Sequence, residues 1–110
     1  MSAVREHLKK VRALLADPAS WTQGWPARDE DGCRCSATSG MATSWCITGA
    51  IDRVCPNFND YFDVSEAFRQ ANGIRADLDG GIVKWNDARS RSHANVLAAL
   101  DKAIADTSDA

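Results

Sequence analysis

Apolar residues near the N-terminus recur at the spacing of one face of a helix. Val4, Leu8, Val11 and Leu15 form this stripe, and the basic residues between them lie largely off it. The pattern predicts an amphipathic first helix whose apolar face packs on the core. The helix should end before Pro18, because the residue that precedes a proline disfavours helical backbone angles.

A second apolar stripe lies in the middle of the chain. Ile47, Ile51 and Val54 share one helical face, and Pro56 should end the helix. We expect Thr43 or Ser44 to cap its first amides, which would place Cys46 in the first turn. Gly49 inside a helix is unfavourable by about 1 kcal/mol relative to alanine, so either a packed backbone or a ligand should lie close to it.

Two more helices are predicted from capping signals. Asp63 and Glu66 resemble a capping box that opens a short third helix, with Gly73 as a left-handed stop. Ser92 should cap a final helix with an apolar stripe. That stripe consists of Val96, Leu100 and Ala103, flanked by Leu97 and Ile104.

The remaining patterns favour short strands. Asp31-Gly32 is typical of a two-residue hairpin turn, so residues 25–36 should form a β-hairpin in which Asp29 faces Arg34. Ile82-Val-Lys-Trp85 has the composition of a short strand that could join this hairpin after a turn at 77–81. Together the patterns predict one α+β domain over residues 1–110, with about four helices packed on a small antiparallel sheet and a frayed end at 106–110.

Charge and composition narrow the choice of partners. Thirteen Lys and Arg residues against fifteen Asp and Glu residues give a net charge of −2, which makes duplex nucleic acid an unexpected partner. The N-terminal residues contain no apolar run of the length that a signal peptide or membrane span needs. We therefore expect a cytoplasmic protein with no membrane partner.

The four cysteines are expected to be free thiols, because a reducing compartment disfavours disulfides. Cys33, Cys35, Cys46 and Cys55, with His93, could be considered as zinc ligands. Their spacing lacks the paired C-x2-C knuckles of common structural zinc sites, so we expect no bound metal and no cofactor.

Three tryptophan clusters combine large apolar side chains with small and polar ones. They are Trp21-Thr-Gln-Gly24, Trp45-Cys-Ile-Thr-Gly-Ala50 and Trp85-Asn-Asp87. Indole supplies a wall, glycine admits a ligand to the backbone, and Asn or Asp orients it, although the same clusters could equally be core. In order and content they resemble a family of short bacterial and phage proteins described as a domain of unknown function. The resemblance extends to Ala27-Arg28-Asp29 and Ser92, and implies no established activity.

One set of candidates is catalytic. A thiol in the first turn of a helix, as predicted for Cys46, can have a depressed pKa, but a cysteine hydrolase or transferase also needs a base, and His7 and His93 are the histidines available. Cys46 could instead be a small buried residue. Asp29 and Asp87 could act as paired carboxylates, or could bind loop amides through Asx turns.

The second set of candidates fits a binding site. Arginine pairs with phosphate and stacks on rings, and an amide can read a base edge, so this set would suit a nucleotide. The proposed ligand-binding residues are Trp21, Arg28, Asp29, Trp45, Gly49, Trp85, Asn86, Asp87, Arg89 and Arg91. Solvated arginines on a helix flank are the alternative.

The sequence thus favours a non-enzymatic protein that binds a small anionic ligand, such as a nucleotide or a nucleotide-derived signal. In a phage, such a protein would serve to sequester a host defence signal. Two alternatives remain: a cysteine-dependent enzyme that uses Cys46, and an interaction module whose tryptophans face a protein partner or a second copy of the chain as a homo-oligomer.

Overall fold

The computed structural model describes residues 3–75 and 81–107 of the 110-residue chain. The helices are α1 (Ala3–Leu14), α2 (Ile47–Val54), α3 (Phe58–Ala71), α4 (Ile82–Asp87) and α5 (His93–Asp106). The strands are β1 (Ala27–Arg28), β2 (Arg34–Cys35) and β3 (Ser44–Trp45), and a short 3-10 turn covers Pro18–Ser20.

The architecture is α+β, as predicted. Helix α1 packs against α2, α3 and α5, and α4 packs on α2. The three strands form one antiparallel sheet in the order β2-β1-β3. No helix within the described ranges is both long enough and apolar enough to cross a membrane.

The two terminal helices follow the predicted stripes. Leu8, Val11 and Leu15 are fully buried, and Val96 and Leu100 meet them in the same core. At the start of α5, the Ser92 hydroxyl accepts from the Asn95 amide and the Asn95 side chain accepts from the Ser92 amide, so the predicted cap is confirmed. Helix α5 includes Asp106, whereas residues 108–110 of the predicted frayed end lie outside the described residues.

The second helix begins later than predicted. Ser44 and Trp45 pair with β1 as strand β3, and the helix starts at Ile47 with Cys46 as its N-cap. The Cys46 sulfur accepts a hydrogen bond from the Gly49 amide at 3.4 Å. Pairing with β1 therefore displaced the expected Thr43 or Ser44 cap.

The third helix begins earlier than the predicted Asp63. Asn57 caps it, because its side-chain oxygen accepts from the amides of Asn59 and Asp60 at 2.8 and 3.3 Å. Glu66 does not close a capping box and instead forms an ion pair with Arg69 at 2.7 Å. The helix ends as predicted beside Gly73, whose φ of 65° is in the left-handed region.

The hairpin is present, but its predicted register was wrong by one residue. Arg34 lies opposite Arg28, and the Asp29 amide donates to Cys33 O at 2.9 Å, so the loop contains three residues rather than two. Gly32, with φ of 82°, closes this longer loop. The expected ion pair between Asp29 and Arg34 is absent, because the shift brings the Arg34 guanidinium over the Trp25 ring, 4.7 Å from its centroid.

The strand predicted at 82–85 is wrong, because these residues belong to helix α4. Ile82 and Asn86 are both buried, and a helix places residues four apart on the same face. Burial of this pair overrides the strand propensity of Ile-Val-Lys-Trp. The third strand is β3. Residues 76–80, which include most of the turn predicted at 77–81, lie outside the described residues.

Candidate functional site

Asn86 joins the three tryptophan clusters. Its side-chain oxygen accepts from the Trp21 indole at 2.8 Å and from the Ile47 amide at 3.2 Å. Its side-chain nitrogen donates to Thr22 O at 3.2 Å and to Asp87 Oδ1 at 2.9 Å. The side chain is fully buried and all of its hydrogen-bonding capacity is used. The structure therefore places Asn86 at a junction within the fold rather than in a cleft.

Asp87 and Gln23 extend the junction. The Asp87 carboxylate also accepts from the Gly24 amide at 3.0 Å. The Gln23 side chain donates to the carbonyls of Asn86 and Ala88 at 2.8 and 3.1 Å. These bonds connect the segment after Trp21 to the end of α4, and the Asp87 carboxylate binds the loop amide of Gly24.

Arg28 is also committed within the fold. Its guanidinium donates to Thr22 Oγ1, Gln23 O and Gly32 O, each at 3.1 Å. Asp29, the next residue, accepts from the amides of Asp31 and Cys33 at 3.0 and 2.9 Å. Both side chains therefore order the hairpin and the loop beside it.

Trp45 lies in the core, where 5% of its surface is exposed. Its indole donates to Ala37 O at 3.0 Å, and the Arg53 guanidinium lies 5.5 Å from the ring centroid. The backbone of Trp45 also forms an isolated parallel β-bridge with that of Trp21. Trp21 and Trp45 thus connect the sheet to the surrounding loops.

Gly49 packs directly against a backbone carbonyl. A Cβ atom added at this position would overlap the Pro26 oxygen, which accepts from the Cys46 amide at 3.1 Å. Of the two alternatives predicted for this glycine, a packed backbone or a ligand, the structure shows the backbone, because the residue before β1 and the start of α2 meet there.

Gly49→Ala is expected to lower the free energy of unfolding by about 1–3 kcal/mol, although alanine favours a helix by about 1 kcal/mol. The overlap is with backbone, so no side-chain rotation relieves it. Chemical denaturation measures the effect, with Gly40→Ala as the control, because a Cβ at Gly40 meets nothing within 4 Å. If the two variants are equally stable, the backbone at Pro26 shifts easily and the close packing at Gly49 does not constrain this position.

No histidine of the described residues forms a hydrogen bond with the Cys46 sulfur. Its sulfur lies 3.2 Å from Thr48 Oγ1 and caps α2, and the residue is buried. His93 Nε2 lies 2.6 Å from Leu15 O and therefore donates a hydrogen bond to this carbonyl. The His93 ring centroid is 6.4 Å from that of Trp21. His93 thus connects the end of α1 to the start of α5.

Two of the predicted ligand-binding residues line a cleft between the end of α3 and α4. We call this the arginine cleft, with a volume of about 370 Å³. Its lining includes Gly73, Arg75, Gly81, Lys84, Trp85 and Arg91. Arg89 is exposed nearby and does not line it.

Trp85 and Arg91 form the wall of the arginine cleft. The guanidinium carbon of Arg91 lies 3.8 Å from the Trp85 ring centroid, and Arg91 Nε donates to Trp85 O at 2.9 Å. Phe68 meets the same indole edge-on, with the ring centroids 5.8 Å apart. Phe68 and Arg91 thus both contact the Trp85 ring, and the Arg91 guanidinium is a planar cation at the cleft.

A second cleft, the Tyr61 cleft, lies between α2 and the start of α3 and has a volume of about 380 Å³. Its lining includes Pro26, Thr48, Asp52, Pro56, Phe58 and Tyr61. Burial raises the pKa of the Tyr61 hydroxyl, and the charge of Asp52 adds to the increase. Burial likewise raises the pKa of the Cys55 thiol at the same cleft, with a further contribution from Asp60.

Sequence reasoning missed the basic partners in the arginine cleft and all of the Tyr61 cleft apart from Gly49. Arg75 follows the helix stop at Gly73, and no sequence spacing relates it to Arg91. The sequence feature that could have revealed the Tyr61 cleft is Asn57, which follows Pro56 directly and caps the start of α3. Starting α3 there makes Phe58 and Phe62 neighbours on one exposed face.

The cysteines are unpaired, with Cys33 exposed and Cys55 buried. Across residues 3–75 and 81–107, no three His, Cys, Asp or Glu side chains cluster in a way that could hold a metal ion.

The fold and its clefts define a small α+β domain organised around a buried asparagine. The chain belongs to DUF6197, a family of unknown function whose family model matches residues 1–106. The predicted resemblance to a domain of unknown function is thereby confirmed, and the bacterial and phage distribution stays a prediction. Neither a curated protein nor a solved structure matches the chain.

Proposed function

We propose that this domain is a non-enzymatic binding protein for a small anionic ligand with a planar ring, and that a nucleotide or nucleotide-derived signal occupies the arginine cleft. The stack of Arg91 on Trp85 at 3.8 Å carries the proposal. A guanidinium held over an indole offers both a surface for a base and donors for a phosphate. By binding such a signal, the domain would sequester it in the cell.

The charge of the cleft supports an anion. Arg75 and Arg91 line it, and no carboxylate appears among its described lining residues. Arg91 makes its side-chain hydrogen bond through Nε, which leaves both Nη groups for a ligand. A local group of cations attracts an anion even though the net charge of the chain is −2.

The size of the cleft supports a small molecule. A volume of about 370 Å³ falls within the range of small-molecule sites, about 300–1,000 Å³. The indole of Trp85 supplies the apolar wall that such sites share.

Arg75→Gln is expected to weaken nucleotide binding by about 1.5–3 kcal/mol, because it removes a charged hydrogen-bond donor. Arg75 is exposed, so the fold should be unaffected. Arg89→Gln is the matched control, since Arg89 is exposed and lies outside the cleft lining. Calorimetry against mono-, di- and cyclic dinucleotides and nicotinamide-ribose compounds measures both variants.

A second variant separates charge from stacking. Arg91→Lys keeps the charge and removes the planar group, so it should weaken a nucleotide more than inorganic phosphate. If no ligand raises the melting temperature by about a degree at millimolar concentration, nucleotide binding is excluded, because a ligand must stabilise the native state by mass action. A protein-partner role would then replace it. If ligands bind equally to all variants, the arginine cleft is the wrong site.

A further inference from the structure

The Tyr61 cleft has the opposite charge character to the arginine cleft. Asp52 is the charged residue in its lining, and no basic side chain lies among the lining residues. The Asp52 carboxylate makes no hydrogen bond or ion pair with the described residues. Arg53, the next residue, is turned to a different surface, where it donates to the carbonyls of Ala37 and Ser39 at 3.3 and 2.7 Å.

Aromatic and apolar groups line the same cleft as this carboxylate. Tyr61 is half-buried in the lining, and Phe58 is 75% exposed at the rim. Pro26 and Pro56 add rigid apolar surface. Aromatic ring faces attract cations, and a carboxylate beside them adds direct charge attraction.

We propose that the Tyr61 cleft binds a small organic ammonium ion with an apolar substituent. The ammonium group contacts Asp52 and the ring of Tyr61, and the substituent packs on Phe58 and the prolines. The volume of about 380 Å³ suits a free small molecule. This site is independent of the arginine cleft, since the two share no lining residue.

The neighbouring surface restricts where the cation can lie. A third cleft continues from Pro26 and Asp52 to Trp25 and Arg34. The Arg34 guanidinium already covers the Trp25 ring at 4.7 Å. A second cation is repelled there, so the ammonium group is confined to the Tyr61 side of Asp52.

The test is a nuclear magnetic resonance titration of the ¹⁵N-labelled protein with benzyltrimethylammonium and, separately, with neutral benzyl alcohol. We expect the ammonium ion to shift the amides of Gly49, Asp52 and Tyr61 and to bind at least about threefold more tightly than the alcohol. Equal binding of the two probes, or shifts confined to other surfaces, would overturn the proposal.

Two exposed substitutions test the contacts without threatening the fold. Asp52→Asn and Phe58→Ala should each weaken the ammonium ion by about two- to fivefold, and Asp52→Asn should leave the alcohol unchanged. Asp63→Asn is the matched control for charge, because Asp63 is exposed on α3 and lies outside the cleft lining. Unchanged ammonium affinity in Asp52→Asn would show that charge plays no part and would sink the proposal.

Discussion

Trp45→Ala is expected to lower the free energy of unfolding by about 4–6 kcal/mol. Burial of an indole removes about 150–250 Å² from water, at roughly 25 cal/mol per Å². Trp45 is 5% exposed and joins the sheet to the core, so almost the whole indole is withdrawn from water in the folded state. The change is a large share of the stability of a small domain, and urea denaturation measures it.

Trp25→Ala is the matched control, because the same truncation is made at a residue that is 41% exposed. Its ring contacts the guanidinium of Arg34 at the surface, and the expected loss is about 1 kcal/mol or less. Comparable losses in the two variants would contradict the assignment of Trp45 to the core. If the melting temperature of Trp45→Ala is close to that of the wild type, the indole is exposed and Trp45 belongs to a binding site or an interface.

Asn86→Ala is expected to lower the free energy of unfolding by about 3–6 kcal/mol. The substitution leaves the Trp21 indole and the Ile47 amide without the acceptor that both now use. It also removes the donor to Thr22 O. A buried polar group that loses its partner is unfavourable by about 1–3 kcal/mol, so the losses accumulate at one junction.

Asn59→Ala tests whether the effect belongs to the junction. Asn59 is an exposed asparagine in the first turn of α3, and its replacement should change stability by about 0.5 kcal/mol or less. Asn86→Asp keeps the acceptor oxygen but replaces the Nδ2 donor with a second oxygen. It therefore buries a carboxylate against Asp87 Oδ1 and Thr22 O, and it should also be destabilising. If Asn86→Ala is as stable as Asn59→Ala, the hydrogen bonds of Asn86 do not hold the clusters together.

The motif residues therefore divide between architecture and the proposed site. Arg28, Asn86 and Asp87 have their polar groups bound within the fold. Trp85 and Arg91 combine a role in packing with a position at a cleft. Substitutions in the first group should report on stability, and those at the arginine cleft on ligand binding.

The sequence alone determined the features that depend on local pattern. The stripe from Val4 to Leu15 predicted α1, since burial of one face requires helical spacing of apolar residues. Ser92 and Gly73 predicted helix ends, because capping and left-handed backbone angles are satisfied by adjacent residues. The α+β class followed from the order of these elements.

Tertiary structure decided the features in which distant segments compete for the same residues. Ser44 and Trp45 joined β1 instead of opening α2, and the demand to bury Ile82 with Asn86 made a helix from a strand-forming sequence. Both clefts likewise depend on distant pairs, Arg75 with Arg91 and Asp52 with Tyr61. The sequence indicated which residue types were present, but only packing of the helices determined which of them meet, because these contacts are set by burial across the fold rather than by spacing along the chain.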